Sequence, residues 1–305
     1  MSETVQTATA IDKPRKQKTI LLYGDSGDGK TALVGEMAEY VKAKEGKITR
    51  LASSDRGGLE TIRPYVDLGI IEVVELGDGD PWIWLNKVVR GYIKRDGKWV
   101  LDAEANKKVG LWAFEGMTSI ADAIMQSLAQ KAAAGTNIGG GGNVNFSISA
   151  EGESVKVGGN NQSHYGVVQT RIVEEVWQSQ RLDGWCMWTA SAKRDEDPNA
   201  AGKVLGPAIA GKALTGEVPR WFVYTFRVAA VPAPAGGSER HILYLGDHQD
   251  VNSGGAKGLG NTRVPLDAPK LPATIEPASL VKAIEAIQGS YDPAIAAIKN
   301  RLGIK

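Results

Sequence analysis

Eight residues, Gly24-Asp-Ser-Gly-Asp-Gly-Lys-Thr31, constrain this chain more than any other stretch. The pattern has glycine at its first and sixth positions, then lysine and threonine. It lies between an apolar run, Thr19 to Tyr23, and a segment of helical spacing from Thr31 to Glu45 in which Leu33, Met37 and Val41 share one face. Strand, glycine-rich loop and helix in that order form a phosphate-binding loop. Glycines let successive backbone N–H groups curl around the α- and β-phosphates. The helix N-terminus adds its dipole and unpaired donors. Lys30 then reaches the β- and γ-oxygens, and the Thr31 hydroxyl meets Mg²⁺. Gly24, Asp25, Ser26, Gly27, Asp28, Gly29, Lys30 and Thr31 are the expected contacts, with ATP and Mg²⁺ as cofactors.

Such a loop needs an acid at the end of a neighbouring strand to hold the metal shell. Val109 to Phe114 is an apolar strand candidate followed by Glu115, Gly116 and a polar Thr118-Ser119 pair that caps a helix running to Ala134. Glu115 is therefore the expected metal acid. Its rival is Asp102, which follows Trp99-Val-Leu101 but runs into a polar turn. Hydrolysis also needs a group to orient water. Asp55, at the end of the strand candidate Ile48 to Ala52, fits that role, although an Asp there also suits ordinary turn chemistry.

Along the rest of the chain, short apolar runs alternate with helical periods. Ile70–Leu76 and Trp185–Thr189 read as strands, Val167–Leu182 as a helix, and 91–101 and 222–245 as hairpins. That alternation predicts an α/β fold with a mostly parallel sheet flanked by helices and antiparallel hairpins at one edge. Residues 1–17 read as a flexible basic leader, 18–268 as the core, and 269–305 as a small C-terminal helical segment after a Pro-rich link. Within the core, 135–161 reads as a hairpin insertion hung on glycines, with Val144, Phe146 and Ile148 alternating with polar residues.

Lys and Arg number 36 against 35 Asp and Glu, a net charge of +1, so any polyanion site must be a local patch. One cysteine among 305 residues excludes an internal disulfide framework and a cysteine-rich zinc site. No apolar run approaches the ~18 residues of a membrane span, and Met1 to Lys18 lacks the apolar core of a signal peptide. No membrane partner and a cytoplasmic location are expected. Trp82, Trp84, Trp112, Trp177, Trp185 and Trp188 lie in apolar segments and read as core.

The loop, Glu115-Gly-Met-Thr-Ser119 and Val204-Leu-Gly-Pro207 with Gly211-Lys-Ala-Leu-Thr-Gly-Glu-Val-Pro219 resemble phage-type RecA-like nucleotide-binding proteins. These are small P-loop ATPases related to the RecA and RadA recombinase core, associated in phages with single-strand annealing and recombination. The resemblance spans about residues 18–265. It implies a RecA-like P-loop NTPase core, ATP hydrolysis, a homo-oligomer (ring or filament) and single-stranded DNA as partner. It places two DNA-facing loops at 135–161 and about 192–215, whose candidate contacts are Lys156, Lys193, Arg194, Lys203 and Lys212. Asp55 falls where those enzymes carry a catalytic Glu. The strand ending near Ser191 lacks their γ-phosphate-sensing Gln. A basic residue reaching a neighbour's phosphate would be Lys257 or Arg263. Two other functions fit a phosphate loop: a kinase-type phosphotransferase, which would want an Arg-rich lid that the dispersed Arg56, Arg63 and Arg90 do not supply, and a nucleotide-gated assembly module with slow turnover.

Overall fold

The computed structural model describes residues 18–55, 57–77, 79–133, 144–150, 153–159, 162–196, 203–210, 214–232, 238–250 and 256–302. In chain order its elements are β1 (Lys18–Gly24), α1 (Lys30–Glu45), β2 (Ile48–Ser53), α2 (Leu59–Asp67), β3 (Ile71–Glu75), α3 (Pro81–Val88), β4 (Tyr92–Arg95), β5 (Lys98–Leu101), α4 (Ala103–Lys107), β6 (Val109–Glu115), α5 (Met117–Ala133), β7 (Val144–Ala150), β8 (Glu153–Gly159), α6 (Gln162–Ser179), β9 (Trp185–Glu196), β10 (Lys203–Pro207), β11 (Tyr224–Val231), β12 (Arg240–Tyr244), β13 (His248–Asp250), β14 (Ala256–Gly258), β15 (Asn261–Thr262), β16 (Thr274–Ile275), α7 (Leu280–Gly289) and α8 (Tyr291–Leu302).

β1 is the hub of the sheet. Ile20, Leu21, Leu22 and Tyr23 are all fully buried, and the strand pairs in parallel with β9 on one side and β11 on the other. Parallel pairing runs on through β6 and β2 to β3, which gives the order β3-β2-β6-β9-β1-β11. β12 and β16 then add antiparallel strands beyond β11. The fold is therefore the mixed α/β class that the sequence predicts.

The period of two along β1 divides the core. Ile20 and Leu22 pack with α1, α2 and α7, whereas Leu21 and Tyr23 pack with α3, α5 and α6. Helices thus cover both faces, as a parallel sheet requires. The C-terminal helices share this core. Leu280, Ile284 and Ile287 are buried against the sheet, and Glu36 of α1 accepts the Leu280 N–H at 2.7 Å, capping α7.

Several boundaries differ from the sequence reading. β9 does not stop near Ser191. It continues to Glu196 and pairs antiparallel with β10, from Ala192↔Pro207 to Glu196↔Lys203, so much of the expected 192–215 loop is a hairpin. α6 starts at Gln162 rather than Val167, and α5 starts at Met117 rather than Ser119. α2 goes unread in the sequence because Pro64, a helix breaker by rule, sits inside it. Trp84, Trp112, Trp185 and Trp188 are buried as expected, but Trp177 is 57% exposed on α6. Cys186 is buried, and burial pushes its thiol up to about 12, which makes it inert core. β7 and β8 pair antiparallel as the 135–161 hairpin predicts, from Val144↔Gly159 to Ala150↔Glu153. The leader 1–17 and the glycines Gly139 to Gly142 lie outside the described residues.

Gly184 secures the β6–β9 approach. Its φ is +97°, and a Cβ there would lie 2.4 Å from the Gly110 carbonyl oxygen. Gly184→Ala therefore forces backbone apart as well as straining φ. The expected cost is about 1–3 kcal/mol, read as a lower Tm.

Candidate nucleotide and metal site

Both the loop and the acids sit at the carboxyl ends of the parallel strands, where ligands of open α/β sheets bind. Residues 25–29 bridge β1 to α1. Gly27 and Gly29 have φ of +88° and +92°, left-handed values that favour glycine. Gly24 is required for a different reason: a Cβ there would stand 2.4 Å from the Val228 carbonyl oxygen of β11.

Asp28 locks the loop from within. Its carboxylate accepts the Asp25 N–H inside the loop and the Ala230 N–H of β11, the latter at 2.9 Å. Burial raises its carboxyl above the usual range, opposed by those two hydrogen bonds. Lys30 folds back on the loop, with Nζ donating to the Gly24 carbonyl at 2.9 Å and the Asp25 carbonyl at 2.7 Å. Burial pulls its ammonium below the ordinary lysine range, against the pull of Asp28 and Asp25. A phosphate oxygen is a stronger acceptor than either carbonyl, so Lys30 is stationed to exchange partners when one arrives.

Glu115 ends β6, opposite Ser53 of β2. One of its oxygens accepts the Thr31 hydroxyl. The other, Oε2, is buried and has no hydrogen-bond partner among the described residues. Burial holds this carboxyl above the usual carboxylate range, the Thr31 hydrogen bond opposes that, and Asp55 adds to it. A buried carboxylate oxygen without a partner is costly unless a cation or proton meets it.

Asp55 lies two residues beyond β2, exposed, with Oδ1 accepting the Gly57 N–H at 3.0 Å. The three expected oxygens converge around Gly58. A Cβ on that glycine would lie 3.4 Å from Thr31 Oγ1 and 3.6 Å from both Asp55 Oδ2 and Glu115 Oε1. Ser26, Lys30, Thr31, Asp55, Glu115 and Ser191 all line one cleft of about 600 Å³.

These residues fit Mg²⁺. Among the described residues no three or more His, Cys, Asp or Glu gather into a metal cage. Mg²⁺ asks for none. It keeps several waters and takes one or two protein oxygens plus substrate phosphates, which matches Thr31 and Glu115 beside the loop.

Asp102 is elsewhere. It caps α4 by accepting the Ala105 N–H at 2.9 Å and pairs with Arg95 at 2.9 Å. The Ala105 hydrogen bond, followed by Arg95, lowers its carboxyl below the usual range. Asn caps a helix as well as Asp does, so Asp102→Asn is expected to lower Tm slightly and leave nucleotide chemistry unchanged. Loss of metal-dependent turnover in that variant would make Asp102 the metal acid instead.

The other candidates scatter. Lys257 pairs with Asp247 at 2.6 Å. Arg263 donates to the Arg220 carbonyl at 2.8 Å and lines a cavity with Lys18, at the opposite end of β1 from the loop. Lys193 pairs with Asp195 at 3.5 Å. Arg194 and Lys203 are exposed on the β9–β10 hairpin. Lys156 is on β8, and its side chain and all of Lys212 lie outside the described residues.

His241 is the site residue that sequence reasoning missed. It comes from β12, more than two hundred residues after the loop, and its Nδ1 is 2.9 Å from the Asp28 carbonyl oxygen. No spacing in the sequence signals that contact, because only the sheet order brings β12 to the loop. Thr189 also enters unannounced: its Oγ1 accepts the Gly116 N–H at 2.9 Å and ties β9 to the turn after Glu115.

No family model and no curated protein matches the chain. Among solved structures the chain is similar to a KaiC-like protein of the hyperthermophilic archaeon Pyrococcus horikoshii, with 10% sequence identity and a TM-score of 0.41 over 75% of this chain and 78% of that one. At that level the likeness adds nothing to the topology read directly from the sheet. Among the described residues, no helix is long and apolar enough to cross a membrane.

Proposed function

We propose that this protein binds and hydrolyses ATP with Mg²⁺ in a RecA-like manner. The observation that carries the reading is Glu115 Oε2, buried with no partner among the described residues, beside the Thr31 hydroxyl and the glycine-rich phosphate loop. Lys30 binds the β- and γ-phosphates, and the loop N–H groups hold the chain of phosphates in place. Thr31 and Glu115 hold the metal, which when bound offsets charge on the transferred phosphate. Asp55, exposed at the mouth of the same cleft, orients the attacking water.

Single-stranded DNA and assembly into a ring or filament are the finer part of this reading and rest on the family resemblance. Of the candidate cations on described side chains, Lys193 is paired with Asp195, and Arg194 and Lys203 are exposed on the β9–β10 hairpin. A multimer would sum weak contacts over its subunits, with Lys257 or Arg263 of one copy completing the site of the next.

Phosphate release measured with Mg²⁺, with and without single-stranded DNA, alongside particle size with ATP, tests these points together. Mg²⁺-dependent release is the expected result, and stimulation by DNA supports the recombinase reading. Turnover indifferent to DNA but raised by a small acceptor would replace it with a phosphotransferase. ATP binding and assembly without turnover would replace it with a nucleotide-gated assembly module.

A further inference from the structure

His241 stands where two cavities meet. One is the phosphate cleft. The other, about 520 Å³, lies on the β12 side of the loop and is mostly apolar, walled by Leu33, Val228, Pro277 and Ala278. Gly29, Ala32 and His241 border both. Arg240 and Glu276, an ion pair at 2.8 Å, also line the apolar cavity.

The imidazole is held in place. A carbonyl oxygen only accepts, so Nδ1 carries the hydrogen in its 2.9 Å contact with Asp28, which leaves Nε2 as the nitrogen available to a ligand. Directly across the strand pair from His241 is Ala230, whose N–H donates to the Asp28 carboxylate at 2.9 Å. One cross-strand pair therefore grips Asp28 at both its main chain and its side chain. His241 thus both fixes the phosphate loop and walls the apolar cavity, while Ala230 holds Asp28 from across the strand pair.

We propose that a bound nucleotide lies across the His241 ring, with its phosphates over the loop and its nucleoside in the apolar cavity, and that His241 positions both ends. This rests on the nucleotide reading above. A phosphate loop grips a triphosphate whatever is attached to it. The adjoining cavity supplies what the loop lacks: apolar walls for a flat base, with Ser238 and Glu239 as polar groups beside them. Among the described residues, His241 is the one side chain that bounds both cavities and also bonds the loop itself.

The test compares ATP with inorganic tripolyphosphate by isothermal titration in Mg²⁺ on the full chain. Ala278→Trp fills the cavity from a residue outside the loop, and its backbone N–H still donates to the His241 carbonyl, at 2.8 Å in this structure. It should weaken ATP about tenfold or more and leave tripolyphosphate within about twofold. His241→Asn keeps a donor near the Nδ1 position but removes the ring. It should likewise hold tripolyphosphate and weaken ATP, whereas His241→Ala should weaken both, ATP more. Unchanged ATP affinity in both Ala278→Trp and His241→Asn would overturn the proposal while leaving the nucleotide reading intact. Equal losses for the two ligands in those variants would also overturn it, because the damage would then be to the loop. If the unaltered protein binds neither ligand, the nucleotide reading fails first.

Discussion

Lys30→Ala is expected to lower ATP turnover by a factor on the order of 10² to 10³, the scale seen when one preorganised charge at a transferring group is removed. On the proposed reading the lysine supplies the side-chain cation for the phosphates, and its present partners are the carbonyls of Gly24 and Asp25. The Asp25 carbonyl is open to water and the Gly24 carbonyl is part-buried at the end of β1, so losing the ammonium strands little. The melting temperature should stay close to that of the unaltered protein. It should even rise slightly, because burial already disfavours the charged form of Lys30. Phosphate release and thermal melting on the same sample separate the two effects. Turnover equal to the unaltered protein would remove the loop from the chemistry.

Glu115→Gln has an expected effect of similar size, reached through the metal. The amide keeps an oxygen for the Thr31 hydroxyl but removes the charge that would hold Mg²⁺. Mg²⁺-dependent turnover should fall by a factor on the order of 10² or more. Stability should move the other way. In the protein without metal, the carboxylate has one buried oxygen with no partner among the described residues, and burial penalises its charge. A neutral amide relieves that penalty, so Tm measured without Mg²⁺ should hold or rise. A second difference marks the role as metal binding. Mg²⁺ with ATP should raise the Tm of the unaltered protein, and that increment should shrink in Glu115→Gln. Asp55→Asn, by contrast, should slow turnover and leave ATP binding nearly intact, since Asp55 is exposed and its Oδ1 bonds only the local Gly57 N–H among the described residues.

The sequence announces this site unevenly, and the physics says why. The phosphate loop is legible because its residues are contiguous and the backbone itself demands the glycines. Gly27 and Gly29 hold φ values that favour glycine, and Gly24 admits the β11 backbone. Glu115 is legible because seven residues of β6 are buried in a row and the run ends at an acid followed by glycine. The β7–β8 hairpin is legible from strict alternation.

What the sequence hides is whatever depends on partners far along the chain. Ala192 to Glu196 has no apolar pattern of its own, and it is a strand because β10 pairs with it. α2 carries a proline that local rules read as a stop. Asp28 fills the fifth position of the loop, where the pattern accepts any residue, yet it ties the loop to β11. His241 is one histidine in a strand, and only the order β1-β11-β12 reveals that it reaches the Asp28 carbonyl.

On the proposed reading, Lys30, Thr31 and Glu115 form one site for ATP and Mg²⁺. The most direct measurement is equilibrium binding of ATP, with Mg²⁺ and with chelator, to the unaltered protein, Lys30→Ala and Glu115→Gln. The unaltered protein should bind ATP more tightly with Mg²⁺, Lys30→Ala should lose affinity in both conditions, and Glu115→Gln should bind ATP but no longer respond to Mg²⁺. Equal affinity in the unaltered protein and Lys30→Ala, or a Mg²⁺ response that survives in Glu115→Gln, would contradict that reading.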